Sequence, residues 1–135
     1  MKRGLLLFAH GARDPNWSLP FQAVLESVRA RAPDVCVTLS YLEFMSPNLI
    51  DAGQVLAAAG CATVDVVPLF LGTGGHVRKD LPLLIDALRK THPGTTWTVR
   101  ASIGESPGVI DAIAQASLSG LLEQPLRTPD TLDPA

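Results

Sequence analysis

Five apolar residues and then a polar break, Leu5-Leu6-Leu7-Phe8-Ala9 followed by His10-Gly11, set the architecture of this chain. A run that is apolar throughout is typical of a β-strand covered on both faces. This run, and each of three later runs named below, is followed by a segment in which apolar residues recur with helical spacing. This alternation predicts a parallel sheet with right-handed crossovers. Three later runs repeat the pattern: Val35 to Leu42, Val64 to Leu71 and the shorter Trp97 to Ala101.

Capping residues and apolar spacing predict four helices. The first follows Trp17 and ends before Pro33. The second is predicted to open with Ser46 as N-cap and Pro47 in the first turn, and the fourth repeats this chemistry at Ser106-Pro107 and runs to about Leu122. The third helix runs from about His76 to Thr91. Predicted buried positions are Phe21, Val24, Leu25 and Val28 in the first helix, Leu49, Ile50, Val55 and Leu56 in the second, and Leu81, Leu84, Ile85 and Leu88 in the third.

The predicted fold is a single α/β domain over residues 1–123, a flavodoxin-like three-layer sandwich with a four-stranded parallel sheet of order 2-1-3-4. Pro68 is expected near the end of its strand, because proline cannot donate a ladder hydrogen bond. The order reverses between the first and third strands, so a crevice is expected outside their carboxyl ends. Residues 124–135 carry three prolines and no periodicity, and they are predicted to be disordered.

Composition excludes several classes of protein. The chain has 135 residues and a net charge of −2, and it has no basic stripe, which argues against nucleic acid and anionic membranes as partners. No secretory core or membrane-length apolar run is visible, so the expected location is cytoplasmic. Cys36 and Cys61 form no CxxC motif and are read as free thiols in or beside the core.

Three possible metal ligands follow three of the predicted strands. His10 follows the first strand, Glu43 follows the second, and His76 follows the third behind the glycine-rich Gly72-Thr73-Gly74-Gly75. The carboxyl ends of parallel strands meet at one edge, so two imidazoles and a carboxylate are expected to converge there. Such donors suit Fe(II), Co(II), Ni(II) or Zn(II), and the open positions indicate a reactive or transfer site. His92, at a helix end before Pro93, has no such context.

Familiar catalytic motifs are absent from the sequence. Residues 72–75 lack the Lys-Ser/Thr ending of a P-loop and the spacing of a dinucleotide fingerprint, so no nucleotide is expected. There is no GxSxG nucleophile elbow. Histidine phosphatases place Arg-His-Gly after their first strand, whereas Ala9 precedes His10 here. A phosphatase-like enzyme with His10 as nucleophile is therefore a weaker alternative.

Several short motifs occur along the chain in one order. They are His10-Gly11-Ala12-Arg13-Asp14-Pro15, Tyr41-Leu42-Glu43 with Ser46-Pro47, Pro68 to Gly72, Gly75-His76-Val77, and Asp80-Leu81-Pro82. Together they resemble the short CbiX type of sirohydrochlorin chelatase, over about Leu5 to Leu122. Ala12 departs from the more usual serine of the His-Gly-Ser-Arg form, which removes a hydroxyl but no expected metal ligand.

The resemblance implies an ATP-independent class II chelatase that inserts Co2+ or Fe2+ into sirohydrochlorin, for cobalamin or sirohaem synthesis. In the family, the residues that match His10 and His76 bind the metal, and the residue that matches Glu43 belongs to the same site in related chelatases. Any of the three could act as the general base. Long relatives contain two such domains in tandem, which implies that this chain forms a homodimer.

Sirohydrochlorin carries eight carboxylates around an apolar macrocycle, and several side chains near the two histidine loops are suited to it. Arg13, Arg78 and Lys79 are candidates for binding the carboxylates, although solvated surface charge explains them equally well. Phe44, Met45, Leu71 and Val77 are candidates for contacting the ring face, and ordinary packing is the alternative. Asp80 either orients His76 or stabilises the first turn of its helix. A non-catalytic metal or tetrapyrrole carrier would use the same ligands.

Overall fold

The structure, a computed structural model, describes residues 1–123, and it divides into two compact units, Met1–Glu105 and the segment from Ser106 onward. Short 3-10 turns lie at Pro15–Ser18 and Ile103–Glu105. The elements are β1 (Arg3–Ala9), α1 (Leu19–Arg31), β2 (Val35–Tyr41), α2 (Leu49–Ala58), β3 (Thr63–Pro68), α3 (Gly75–Thr91), β4 (Thr96–Val99) and α4 (Pro107–Glu123).

The four strands form one parallel sheet in the order β2-β1-β3-β4, which confirms the predicted topology. Strand β1 lies between β2 and β3, with Leu7 opposite both Leu39 and Val67. Pro68 is the last residue of β3, as its missing N–H requires. Strand β2 pairs with one edge of β1 and strand β3 pairs with the other. The strand order therefore reverses at β1 and β3, and a crevice is expected outside their carboxyl ends.

Helices cover both faces of the sheet. Leu6 and Phe8 of β1 are fully buried in a cluster with residues of α2 and α3, whereas Leu7 and Ala9 belong to a second cluster that packs against α1. The continuous apolar run of β1 is explained by this double coverage. The buried Ser40 hydroxyl donates to the Leu7 carbonyl at 2.9 Å, so this buried hydroxyl has a hydrogen-bond partner. The predicted three-layer arrangement is confirmed.

Some helix predictions need correction. Helix α2 begins at Leu49 rather than at Pro47, because the Asn48 side chain, not Ser46, caps it by accepting from the Asp51 N–H at 2.8 Å. Val55 is exposed, since only the stripe that includes Leu49 and Leu56 faces the core. In α1 the predicted buried position Val24 is also exposed. Its neighbours Phe21, Leu25 and Val28 are partly buried against the second cluster.

The second unit contains α4, which exposes apolar residues on more than one side. Asp111 and Gln115 are joined by a hydrogen bond on one side of the helix, where Leu122 is also exposed. An exposed apolar stripe runs along another side at helical spacing, formed by Ile110, Ile113, Leu118 and Leu121. No helix among residues 1–123 is long and apolar enough to cross a membrane. The disorder predicted for residues 124–135 concerns positions outside the described residues, and the single-domain assignment over residues 1–123 stays a prediction.

Candidate metal-binding site

The loops that follow β1 and β2 are joined through their backbones. The Leu42 N–H donates to the Ala9 carbonyl at 2.9 Å, and the Glu43 N–H donates to the His10 carbonyl at 3.1 Å. Gly11 has a φ of 90° and lies directly against the Glu43 carbonyl oxygen, where a Cβ atom would collide. Only glycine satisfies both conditions without strain. The backbone therefore fixes His10 and Glu43 beside each other.

The side chains of these two residues form the first donor pair. His10 Nε2 lies 3.2 Å from Glu43 Oε1, and both side chains are about half exposed, at 51% and 49%. Donors that share one first-row ion, each about 2.1 Å from it and at right angles, stand roughly 3.0 Å apart. The observed separation fits two ligands of the same ion. Solvent access leaves room for further ligands to arrive.

An aromatic wall supports His10 from the β3 side. The His10 ring meets Phe70 edge to face, with ring centroids 6.2 Å apart. Phe70 in turn packs edge to face on the buried Phe8 at 5.8 Å. The imidazole is therefore anchored to the core through Phe70, on the side of the sheet where the strand order reverses.

The segment after Glu43 presents a cation and an aromatic ring. Phe44 adopts a left-handed backbone with a φ of 66° and is exposed. The Arg13 guanidinium lies over its ring, 4.9 Å from the centroid, which is a cation–π contact. Met45 is partly buried and packs against the cluster under α1. Arg13 and Phe44 are therefore the more accessible members of the predicted substrate contacts.

A second donor pair lies at the start of α3. His76 is the second residue of that helix, and its Nε2 lies 3.2 Å from Asp80 Oδ2, one turn later. The His76 side chain is 82% exposed. The glycine loop before it is tied to the loop after β4 by a hydrogen bond between the Thr73 and Ser102 hydroxyls. Asp80 thus interacts directly with His76, which favours an orienting role for Asp80 over a purely helix-stabilising one.

The structure brings His10 together with Glu43 and pairs His76 with Asp80. Within residues 1–123 no group of three or more His, Cys, Asp or Glu side chains is arranged to hold one ion. The predicted donors therefore form two pairs rather than one triad. The sequence alone leaves two roles open for Asp80, orienting His76 or stabilising the helix start, and does not place it among the predicted ligands. Its spacing of four from His76 on a helix was the signal that could have done so.

An apolar cleft of about 350 Å³ opens beside the glycine loop. It is lined by Thr73, Arg78 and Leu81, with further walls from β3, α3 and the segment after β4. Arg78 and Lys79 are exposed in the first turns of α3, whereas Val77 is buried in the core. Val77, although only 6% exposed, lines the cleft together with Arg78, and this cleft can receive apolar surface. Leu71 is exposed at the same edge of the sheet.

Comparison with known proteins places this chain in a family. The CbiX family model matches residues 4–119. This chain belongs to the CbiX family. The match spans the whole sheet and both donor pairs, and it confirms the resemblance that the sequence motifs indicated.

Curated relatives of this CbiX chain are metal chelatases. It is 29% identical over 125 residues to the sirohydrochlorin cobaltochelatase of Sulfurisphaera tokodaii, covering 93% of this chain and 95% of that protein. It is 28% identical over 116 residues to the sirohydrochlorin ferrochelatase of Bacillus subtilis, covering 86% of this chain but only 43% of that one. The chain thus spans less than half of the Bacillus relative and nearly all of the archaeal one.

Solved structures agree with this assignment. A CbiX protein of cobalamin (vitamin B12) biosynthesis from Marinobacter aquaeolei VT8 superposes with a TM-score of 0.79 at 30% identity, covering 90% of this chain and 99% of that one. The sirohydrochlorin chelatase SirB from Bacillus subtilis subspecies spizizenii, in complex with cobalt, gives a TM-score of 0.77 at 25% identity. This match covers 88% of this CbiX chain and 51% of SirB.

Proposed function

We propose that this chain inserts Co2+ or Fe2+ into sirohydrochlorin without ATP. The observation that carries the proposal is the His10–Glu43 pair, two donors 3.2 Å apart at the carboxyl edge of the sheet of a CbiX protein. Relatives named cobaltochelatase and ferrochelatase support both metals as substrates. First-row divalent ions share imidazole and carboxylate ligands, so these donors accept either metal.

In the first step, His10 Nε2 and Glu43 Oε1 hold the hydrated ion in adjacent coordination positions. Two protein ligands leave the remaining positions to water, so the ion is held and can still leave. The tetrapyrrole nitrogens then displace water one at a time. As they bind, the protein ligands are released, because the macrocycle supplies four nitrogen donors.

Insertion also removes two pyrrole protons. A neutral His76 imidazole accepts one of them through the lone pair of a ring nitrogen, and Asp80 at 3.2 Å stabilises the resulting imidazolium. His10 or Glu43 accepts the other after releasing the ion, because one lone pair cannot hold metal and proton together. We therefore assign catalytic roles to His10, Glu43 and His76, and we propose that His76 is a third metal ligand before the ion leaves it and a base only afterwards.

The substrate is held by its charged rim and its apolar faces. Arg13, Arg78 and Lys79 bind peripheral carboxylates, which charge-assisted hydrogen bonds favour. Phe44 lies against the macrocycle, with Met45 behind it. The Arg13–Phe44 contact at 4.9 Å and the cleft beside Arg78 support this arrangement.

We also propose that the chain works as a cytoplasmic homodimer. The exposed apolar stripe of α4 is a surface that a second copy would cover. The Bacillus relatives, of which this chain spans about half, offer room for two such domains in one polypeptide. Two unpaired cysteines suit a reducing compartment.

The test is anaerobic absorption spectroscopy of sirohydrochlorin with Co2+ or Fe2+. The wild-type protein should accelerate metal insertion over the protein-free rate, and His10→Ala and Glu43→Gln should lower that acceleration at least about 10-fold. The matched control is His92→Gln, since His92 lies at the end of α3 and touches neither donor pair. This control should keep the wild-type rate.

The same experiment separates a chelatase from a carrier. A carrier would bind Co2+ and sirohydrochlorin, detected by equilibrium dialysis and absorption shifts, yet leave the insertion rate at the protein-free value. A folded wild-type protein that behaves in this way contradicts the chelatase proposal and favours delivery of cargo.

A further inference from the structure

Cys36 and Cys61 are both neighbours of Gly4, near the amino-terminal edge of the sheet. Gly4 of β1 is the register partner of Cys36 in β2, and register partners in a sheet face the same side. The Cys61 Sγ lies 3.2 Å from the point where a Cβ atom of residue 4 would stand. The absent side chain at Gly4 leaves space beside the Cys61 sulfur, on the face of the sheet that Cys36 shares.

The two cysteines belong to the same packed cluster, but they differ in access to solvent. Burial raises the pKa of the Cys61 thiol, and a side-chain hydrogen bond with Cys36 raises it further, against a smaller opposing effect of Lys2. Cys61 is 2% exposed, whereas Cys36 is partly exposed. Cys36 is therefore the thiol that an external reagent meets first, and Cys61 is its sheltered neighbour.

A cleft opens on the Cys61 side of the two cysteines. It has a volume of about 450 Å³ and is lined by Cys61, Gly60, His92 and Thr95. It lies at the start of β3, at the opposite edge of the sheet from His10 and Glu43. The thiol pair and the donor pairs are therefore separate sites.

We propose that Cys36 and Cys61 form a dithiol site that low-molecular-weight disulfides oxidise to an intramolecular disulfide. The Cys36 thiolate attacks one sulfur of the reagent, the reagent S–S bond breaks, and one small thiolate leaves. The Cys61 thiol then loses its proton to solvent and attacks the Cys36 sulfur, which expels the second small thiolate. The protein loses two electrons and two protons, and one small disulfide becomes two thiols.

The bond would join β2 to the connection between α2 and β3. It closes a loop from residue 36 to residue 61, which restricts the unfolded chain. We expect the melting temperature of the oxidised protein to rise by roughly 5–15 °C. Because the site lies at the edge away from His10, oxidation should change the rate of metal insertion by less than about 2-fold.

The experiment equilibrates the reduced full-length protein with oxidised glutathione, quenches it with a maleimide in denaturant so that the buried Cys61 is also labelled, and measures intact mass under non-reducing conditions. Wild type should lose two hydrogens, carry no maleimide and stay a single chain on a denaturing gel. Cys61→Ala, which lacks the second nucleophile, should accumulate a glutathione adduct at Cys36. Cys36→Ala should react with glutathione at least about 10-fold more slowly than wild type.

Each alternative outcome contradicts the proposal in a distinct way. Wild type that carries two maleimides has thiols that are not oxidised. Wild type that stops at the glutathione adduct has thiols that cannot reach each other. A covalent pair of chains shows bonding between copies. The wild-type mass decides the question even if a cysteine variant fails to fold.

Discussion

At position 11 the chain turns so sharply that only a residue without a side chain fits. Gly11 combines a left-handed φ of 90° with direct contact to the Glu43 carbonyl oxygen. Gly11→Ala should lower the free energy of unfolding by about 2–4 kcal/mol, from backbone strain and overpacking together. It should also reduce chelation, because it separates His10 from Glu43. Urea unfolding followed by circular dichroism measures the first effect.

Gly72→Ala is the matched control for this prediction. A Cβ atom at Gly72 meets nothing within 4 Å, and its backbone is outside the left-handed region. Its free energy of unfolding should differ from wild type by less than about 0.5 kcal/mol. Equal decreases in the free energy of unfolding of the two variants would contradict the prediction. They would show that the contact between Gly11 and the Glu43 carbonyl is not the cause of the destabilisation.

The His76–Asp80 pair predicts a positioning role for the carboxylate. Asp80→Asn removes the charge that orients His76 and stabilises its protonated form, so the rate of Co2+ insertion should fall about 10-fold. Asp86→Asn is the matched control, because Asp86 lies on the same helix and pairs only with the exposed Arg89. Stability should be similar in the two variants. An unchanged insertion rate in Asp80→Asn would remove Asp80 from the mechanism.

The sequence locates the donor residues better than it locates their partners. His10 and Glu43 could be predicted because each follows a strand, and parallel strands bring such residues to one edge. Asp80 was ambiguous, since a carboxylate near a helix start is also favoured by the helix dipole. The spacing along the chain does not fix side-chain rotamers. The pairing of His10 with Glu43 and of His76 with Asp80 could therefore not be predicted from the sequence.

At the scale of the element, the start of α2 shows how capping is decided by geometry. Asn48→Ala should lower the free energy of unfolding by about 1 kcal/mol, because the Asp51 N–H loses its acceptor. Ser46→Ala should change it by less than about 0.5 kcal/mol, since Ser46 does not cap the helix. Denaturant titration of both variants checks the difference. A larger effect at Ser46 would restore the helix start that the sequence suggested.

The topology could be predicted where the helix boundary could not. The order β2-β1-β3-β4 follows from alternating strands and helices joined by right-handed crossovers, which few other arrangements satisfy. By contrast, Ser46, Pro47 and Asn48 all favour a helix start, and their propensities differ too little to choose. The predicted burial of Val55 is wrong for a related reason. Helix α2 is apolar on several sides, and only its packing against the sheet decides which side is buried.

At the scale of the whole molecule, α4 presents a stripe of solvent-exposed apolar side chains. Ile110, Ile113 and Leu121 are exposed and lie along one side of the helix, while Asp111 and Gln115 lie on another side, where Leu122 is exposed as well. Such a contiguous apolar surface on a helix is typical of an interface. Sequence periodicity could predict the stripe but not its partner, since a helix looks the same whether it meets a core or a second chain.

Ile113→Glu tests the proposed homodimer. Placing a carboxylate within an apolar interface leaves a charge without a partner, so the dissociation constant should rise at least about 100-fold. Sedimentation velocity over a concentration series should show a wild-type dimer and a monomeric variant, with α4 still helical by circular dichroism. Gln115→Glu adds the same charge next to Asp111, away from the stripe, and should remain dimeric. Wild type that stays monomeric at every concentration would contradict the homodimer, whereas a monomeric Ile113→Glu that has also lost metal insertion would show that the working site needs both copies.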